Sequence, residues 1–191
     1  EISPENPADP LFDPVFHQNV YSFSFQKSML PDAGHIRSAR SSDDLYSLYE
    51  SFSEMFDGSI RLNPKDFRQN LRFAKSSKKR VMVHLDGSNL DGLYIARANG
   101  TRLDIETVFY SSAEALADII MQEVRVWSSV DVHVSGSENL EAIFGVPPVR
   151  EKTLMVKITS MELFNVWQNS DFQNYAQAFN SLTQPSWNGF I

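Results

Sequence analysis

The stretch LDIETVFYSSAEALADII (Leu103–Ile120) reads as a strand running into a helix, and that junction is the first place where chemistry could reside. A helix N-terminus offers unpaired backbone N–H groups at the positive end of the helix dipole, which suits a phosphate. Cradling one also takes glycines, so that the backbone can approach the ligand closely. Here the turn is Tyr110-Ser111-Ser112-Ala113-Glu114-Ala115, and no glycine occurs between Thr101 and Ser135. Ser111 and Glu114 have the three-residue spacing of a capping box, whose side chains satisfy the helix's own N–H groups. The Glu114 carboxylate then stands where a phosphate has to go. At an effective dielectric of about 20, two like charges about 4 Å apart repel by roughly 4 kcal/mol. The junction is therefore expected to hold no cofactor.

Other groups with chemical potential are sparse. Asp104 and Glu106 share one face of the strand, and a carboxylate is a residue type that can act as a general base. The competing expectation is a polar strand face, with Leu103, Ile105 and Phe109 packing opposite. The four histidines (His17, His35, His84, His133) are scattered without metal-ligand spacing, so no metal is expected. His133 alternates with Val130, Val132 and Val134 and is expected on the wetter face of its strand. The Ser135-Gly136-Ser137 triplet lacks the pattern of a nucleophile elbow and reads as the turn before a helix. There is no cysteine, which excludes disulfides, thiolate metal sites and thiol nucleophiles and fits a cytoplasmic setting.

Composition narrows the partners. A formal net charge of −7 over 191 residues argues against nucleic acid, which is bound by releasing counterions to Lys and Arg. Lys75, Lys78, Lys79 and Arg80 form the one basic cluster, without interleaved aromatic residues, and read as a solvated loop. No apolar run approaches the roughly 20 residues that span a bilayer, and the N-terminus lacks the pattern of a signal peptide. The chain does not start with Met, so a fragment or a processed product is expected.

The elements that position these groups follow from periodicity. Residues 1–19 carry Pro4, Pro7, Pro10 and Pro14 and read as an extended lead-in. VYSFSFQ alternates strictly, with Tyr21, Phe23 and Phe25 on one face of a strand. In SSDDLYSLYESFSEMFDG, Ser41 or Ser42 can cap a helix whose stripe is Leu45, Leu48, Tyr49, Phe52 and Phe56, and Asp57-Gly58 can end it. Asn63 and Pro64 open a second helix that turns Phe67, Leu71 and Ala74 inward. RVMVHL, LDGLYIAR and LDIETVFY form an antiparallel meander with turns at Asp86-Gly87 and Asn99-Gly100. The next helix buries Leu116, Ile119, Ile120 and Val124 with Trp127, and VDVHV is a further strand, expected parallel to the one before that helix. ENLEAIF reads as a short helix, Pro147-Pro148 as a break and TLMVKI as a last strand. The fold class is α/β (α+β): a mixed sheet flanked by helices.

This order resembles the GCN5-related N-acetyltransferase fold. Within it, DLYSLYESFSEMFDGSIRLNPKDFRQNL looks like the opening of the second acetyltransferase-like domain of the Eis (enhanced intracellular survival) family. LFDPVFHQNVYSFSF resembles the last strands of that family's first, catalytic domain, and TLMVKITSMELF its methionine-bearing strand and following helix. LTQPSWNGFI resembles its chain end. The resemblance implies three parts: residues 1–33 as the end of a preceding catalytic domain, 34–164 as the second acetyltransferase-like domain, and 165–191 as a C-terminal helix and tail. On this resemblance nearly all of the family's acetyl-CoA-binding domain is missing from these residues, and only residues 165–182 stand where its sterol-carrier-like domain would be, so either a short-form member or part of a longer protein is expected.

The resemblance also implies a reaction, transfer of an acetyl group from acetyl-CoA to an amine, and a homo-oligomer. In the family the chain terminus enters the catalytic domain and its α-carboxylate serves as general base. The matching group is the carboxylate of Ile191, with Trp187 and Phe190 lining the substrate pocket. An α-carboxyl with a pKa of about 3.5 is ionised at neutral pH and accepts a proton only through positioning. The expected partners are the catalytic domain of the same protein and an amine substrate, with neither nucleic acid nor membrane. Two other readings stay open: a self-sufficient acetyltransferase with a divergent cofactor site, and a non-enzymatic interaction or ligand-binding module.

Overall fold

The computed structural model describes residues 2–3, 13–24, 35–56, 59, 61–156, 160–174 and 177–178. These form β1 (Ile2–Ser3), β2 (Asp13–Phe23), β3 (His35–Ser38), α1 (Leu45–Glu54), α2 (Pro64–Ser76), β4 (Arg80–Asp86), β5 (Asn89–Asn99), β6 (Arg102–Tyr110), α3 (Ala113–Val126), β7 (Ser129–Ser135), α4 (Glu141–Phe144), β8 (Val149–Val156) and α5 (Met161–Gln168). The strands make one sheet in the order β1-β8-β2-β7-β6-β5-β4-β3. Every neighbouring pair is antiparallel except β6 and β7, which α3 connects in parallel. The mixed α/β class and the parallel pair match the sequence reading.

Two cores flank the sheet. On one face α1 and α2 bury Leu45, Leu48, Tyr49, Phe52, Phe67 and Leu71 against Val81, Val83, Leu93, Ile95 and Phe109. On the other, α3 buries Leu116, Ile119, Ile120 and Val124 against Tyr94, Ala96, Leu103, Ile105, Val130 and Val132. The stripes read from the sequence are therefore the packed faces, because a period of about 3.6 puts those side chains on one side of a helix.

Local signals account for most boundaries. The Asn63 side chain accepts from the N–H groups of Lys65 and Asp66, both at 3.0 Å, so α2 starts at Pro64. Gly87 and Gly100 sit at φ 59° and 60°, the left-handed conformation that their tight hairpins demand. For α1 the cap is Asp44 rather than Ser41 or Ser42, and it accepts from Ser47 N. A carboxylate there also meets the positive end of the dipole, which a hydroxyl does less well. The Asp57-Gly58 stop and Phe25 lie outside the described residues.

Long-range pairing produced the differences. β2 begins at Asp13, inside the Pro-rich lead-in, with register shifts flanking Phe16. β3 had no counterpart in the sequence reading; it forms by pairing along β4. β8 starts at Val149, directly after Pro148, because Val20 and Asn19 of β2 pair there. On β6 the partners of Ile95 and Ala96 are Thr107 and Ile105, so Glu106 is an extra residue, a β-bulge. The bulge reverses the alternation. Leu103 and Ile105 face α3, whereas Phe109 joins the α1–α2 core, correcting the expectation that all three share a face.

Gly92 of β5 is needed for packing rather than for a turn. A Cβ at that position would lie 2.6 Å from Ile119 Cδ1 and 2.9 Å from His84 Cβ. Its absence lets α3 settle onto the sheet.

Candidate functional site

The parallel ladder between β6 and β7 is short. It pairs Arg102 with Ser129, Leu103 with Val130, Asp104 with Asp131 and Ile105 with Val132. Beyond the Glu106 bulge, β6 stays with β5 as far as Tyr110, while β7 stays with β2 as far as Ser135. The carboxyl ends of the parallel pair thus part into a fork, with the N-terminus of α3 just past the end of β6. In α/β sheets a crevice outside the strands' carboxyl ends is the usual ligand position.

Glu138 bridges this fork. Its Oε1 accepts the Tyr110 hydroxyl from the end of β6, and its Oε2 accepts Ser135 N from the end of β7 at 2.7 Å. The backbone of the same loop is clamped from β2. Asn19 Nδ2 donates to Glu138 O at 3.1 Å, and Tyr21 Oη accepts from Leu140 N at 3.1 Å. Burial pushes the Glu138 carboxyl up to about 7, against the two hydrogen bonds that favour its charge. The Tyr110 hydroxyl is raised as well, by burial first and then by the neighbouring Glu138. A carboxyl poised near neutrality between two strand ends is a group that can exchange a proton at physiological pH.

At the start of α3 the helix satisfies itself. Ser112 is the cap: its Oγ accepts Ala115 N at 3.2 Å. This corrects the Ser111–Glu114 box by one residue, since Ser112 has the extended backbone of a cap (φ −153°, ψ 163°). Glu114 nevertheless turns onto the helix end. Its own backbone N–H and then the Ser112 hydroxyl bond its carboxylate and hold it below the usual carboxylate range. Two N–H groups at this helix end, those of Ala115 and Glu114, are thus taken by the Ser112 hydroxyl and the Glu114 carboxylate.

The remaining candidates are paired. Asp104 lies 2.8 Å from His133 Nε2, whose hydrogen bond lowers the Asp104 carboxyl despite burial. His133 is half-buried; burial lowers its pKa, but the hydrogen bond and charge of Asp104 outweigh this and raise it. Glu106 meets Lys79 and Arg97, and Asp131 meets Arg102 and the Ser22 hydroxyl. These contacts make a neutralised polar sheet face, as the plainer sequence reading held. The basic cluster read as a solvated loop is dispersed. Lys79 binds Glu106, and Arg80 stacks on Trp127 and approaches the buried Glu123 at 3.7 Å. Glu123 also accepts from Tyr94 Oη and, at 2.8 Å, from Trp127 Nε1.

His84 Nδ1 lies 2.7 Å from Asp91 Oδ1, and Asp91 O accepts Ser111 N at 2.9 Å just past the end of β6. Among the described residues no three His, Cys, Asp or Glu side chains gather as a metal site. Nor is any described helix long and apolar enough to cross a membrane. Trp187, Phe190 and Ile191 lie outside the described residues.

Sequence reasoning missed Glu138 because ENLEAIF reads as a helix from its first residue. The helix starts only at Glu141, and Glu138 and Asn139 stay in the loop. The buried Tyr21, also 1% exposed, was legible as a core residue but not as the clamp of that loop.

No protein-family model matches the sequence, and no curated protein matches it. Solved structures do match the fold. A conserved Enterococcus faecalis protein described as a probable N-acyltransferase is 16% identical with a TM-score of 0.59, over 80% of this chain and 42% of that one. A GCN5-related N-acetyltransferase from Anabaena variabilis is 11% identical at a TM-score of 0.57, over 81% and 45%. Eis1 from Mycobacterium abscessus is 11% identical at a TM-score of 0.56, over 85% and 47%. The chain therefore has the GCN5-related N-acetyltransferase fold and spans less than half the length of each of these proteins.

Proposed function

We propose that this chain supplies the second, non-catalytic acetyltransferase-like part of an Eis-type enzyme that transfers an acetyl group from acetyl-CoA to an amine. The fold, seen also in Eis1, supports the acetyltransferase relation. One observation carries the non-catalytic assignment: at α3 the Ala115 N–H is taken by Ser112 and the Glu114 N–H by its own carboxylate. A negative charge already fixed there repels the diphosphate that the same position binds in a cofactor site. Coenzyme A is held elsewhere, by the catalytic domain. This chain packs against that domain, and its tail brings Trp187 and Phe190 to the amine pocket. Where Ile191 ends the protein, its carboxylate accepts the proton that the amine loses.

Isothermal titration of the full chain with acetyl-CoA tests the reading. No saturable binding is expected at micromolar concentration; micromolar affinity overturns it. One observation favours a second reading, a self-sufficient enzyme: Glu138, near pH 7 at the fork, has the pKa of a general base. That reading requires acetyl-CoA affinity and a turnover that Glu138→Gln removes.

A further inference from the structure

The face of the sheet opposite α3 carries a groove of about 310 Å³ between the first turn of α1 and the length of α2. Its wall on α2 is a row of cations: Arg68, Arg72 and Lys75. Their i, i+4, i+7 spacing places them on one stripe, roughly 10 Å long at 1.5 Å per residue, beside the buried stripe of Phe67, Leu71 and Ala74. Arg40, in the segment before α1, lines the other wall.

The carboxylates of the groove are already committed. Asp43 receives two bonds of 2.7 Å from the Arg37 guanidinium and a third from Arg40 N at 2.7 Å. Asp44 caps α1 through Ser47 N and the Ser47 hydroxyl. Among the described residues, Arg68 and Arg72 form no salt bridge. Arg37, Arg40, Arg68, Arg72 and Lys75 thus face two carboxylates, a local excess of three positive charges in a chain of net charge −7. The dipole of α2 favours cations in its last turn, which accounts for Lys75. It does not account for Arg68 in the helix's first half, and Arg68 and Arg72 repel each other four residues apart.

We infer that this groove binds a small, multiply charged phosphate compound. Arginine forks hold phosphate oxygens two at a time, and two on one stripe suit two phosphate groups better than one carboxylate. A volume of about 310 Å³ is at the small end of ligand sites, the size of a compact metabolite. The chain's overall negative charge disfavours an anionic membrane surface as the source of the phosphate. The site lies on the opposite face of the sheet from α3, and it stands or falls independently of the acyl-transfer reading.

Inorganic pyrophosphate is the probe, titrated into the full chain at low salt with calorimetric and NMR detection. Saturable one-to-one binding is expected, weakened at least tenfold by Arg68→Gln with Arg72→Gln. Both positions are exposed, so the variant should keep the wild-type circular dichroism. Lys65→Gln, one turn before Arg68 but not lining the groove, should weaken binding far less. Absence of saturable binding below about 1 mM (weaker than roughly 4 kcal/mol of affinity) overturns the inference, and so does an equal loss in the Lys65 variant. Co-sedimentation with phosphatidylglycerol vesicles without pyrophosphate binding overturns the soluble ligand in favour of a lipid headgroup.

Discussion

Replacing Glu138 by Gln tests the fork directly. In the folded protein the carboxyl titrates at about 7, against an ordinary value of 4.5. A raised carboxyl binds its proton more tightly in the folded state than in the unfolded one. The stabilisation is therefore complete below pH 4.5 and is lost as pH rises towards 7. A pKa difference of about 2.5, at 1.36 kcal/mol for each unit, sets the loss at roughly 3 kcal/mol. Gln keeps the shape and the acceptor for Tyr110 but cannot ionise; the acceptor for Ser135 N is lost at every pH, which shifts the curve without tilting it. Urea unfolding at half-unit steps from pH 4 to 8.5 gives stability for both proteins. The wild type should lose up to about 3 kcal/mol relative to the variant between pH 4.5 and 7.5, then run parallel to it. Subtraction removes the contribution of His133, which titrates in both. Parallel curves across the whole range would refute the claim that this carboxyl is desolvated between the strand ends.

Two further perturbations probe the packing of α3 and a charge pair beside α1. Gly92→Ala puts a methyl 2.6 Å from Ile119 Cδ1 and 2.9 Å from His84 Cβ, so it should cost about 1–3 kcal/mol and lower the melting temperature by roughly 2–4 °C per kcal/mol. An unchanged melt would show that α3 can lift off the sheet freely. Asp43, pulled to about 2 chiefly by the Arg37 hydrogen bonds, contributes stability above pH 3.8 that fades as pH falls through about 2. The pair lies near the surface with its side chains 19% and 9% exposed, so Asp43→Asn should cost about 1 kcal/mol at pH 7, less as pH falls through about 2, and nothing well below that. A cost at pH 2 as large as that at pH 7, read by urea unfolding, would place the effect in packing instead.

Much of the fold was legible because its signals are local. Asn63-Pro64 starts a helix by the chemistry of those two residues, and Asp86-Gly87 and Asn99-Gly100 close hairpins by the backbone freedom of glycine. The candidate site was half legible. An acid on the first turn of α3 could be read from SSAEA, though the cap falls on Ser112 and not Ser111. Glu138 could not, since nothing in SGSENLEA distinguishes a helix-starting Glu from one whose carboxyl reaches Tyr110, 28 residues away. The Glu106 bulge was equally hidden, because one extra residue in β6 is visible only when β5 lies beside it.

The chain's own order of residues determined the helices, their buried stripes, the meander and the lack of glycine at the α3 turn. Each of these follows from periodicity or from a residue's preferred backbone. The tertiary structure alone decided where the β6–β7 ladder stops, which carboxyl enters the gap, and that Arg40 faces the cationic row on α2. Those facts depend on distances between segments far apart in sequence, and burial sets the charge state of Glu138 only once the strands around it have paired.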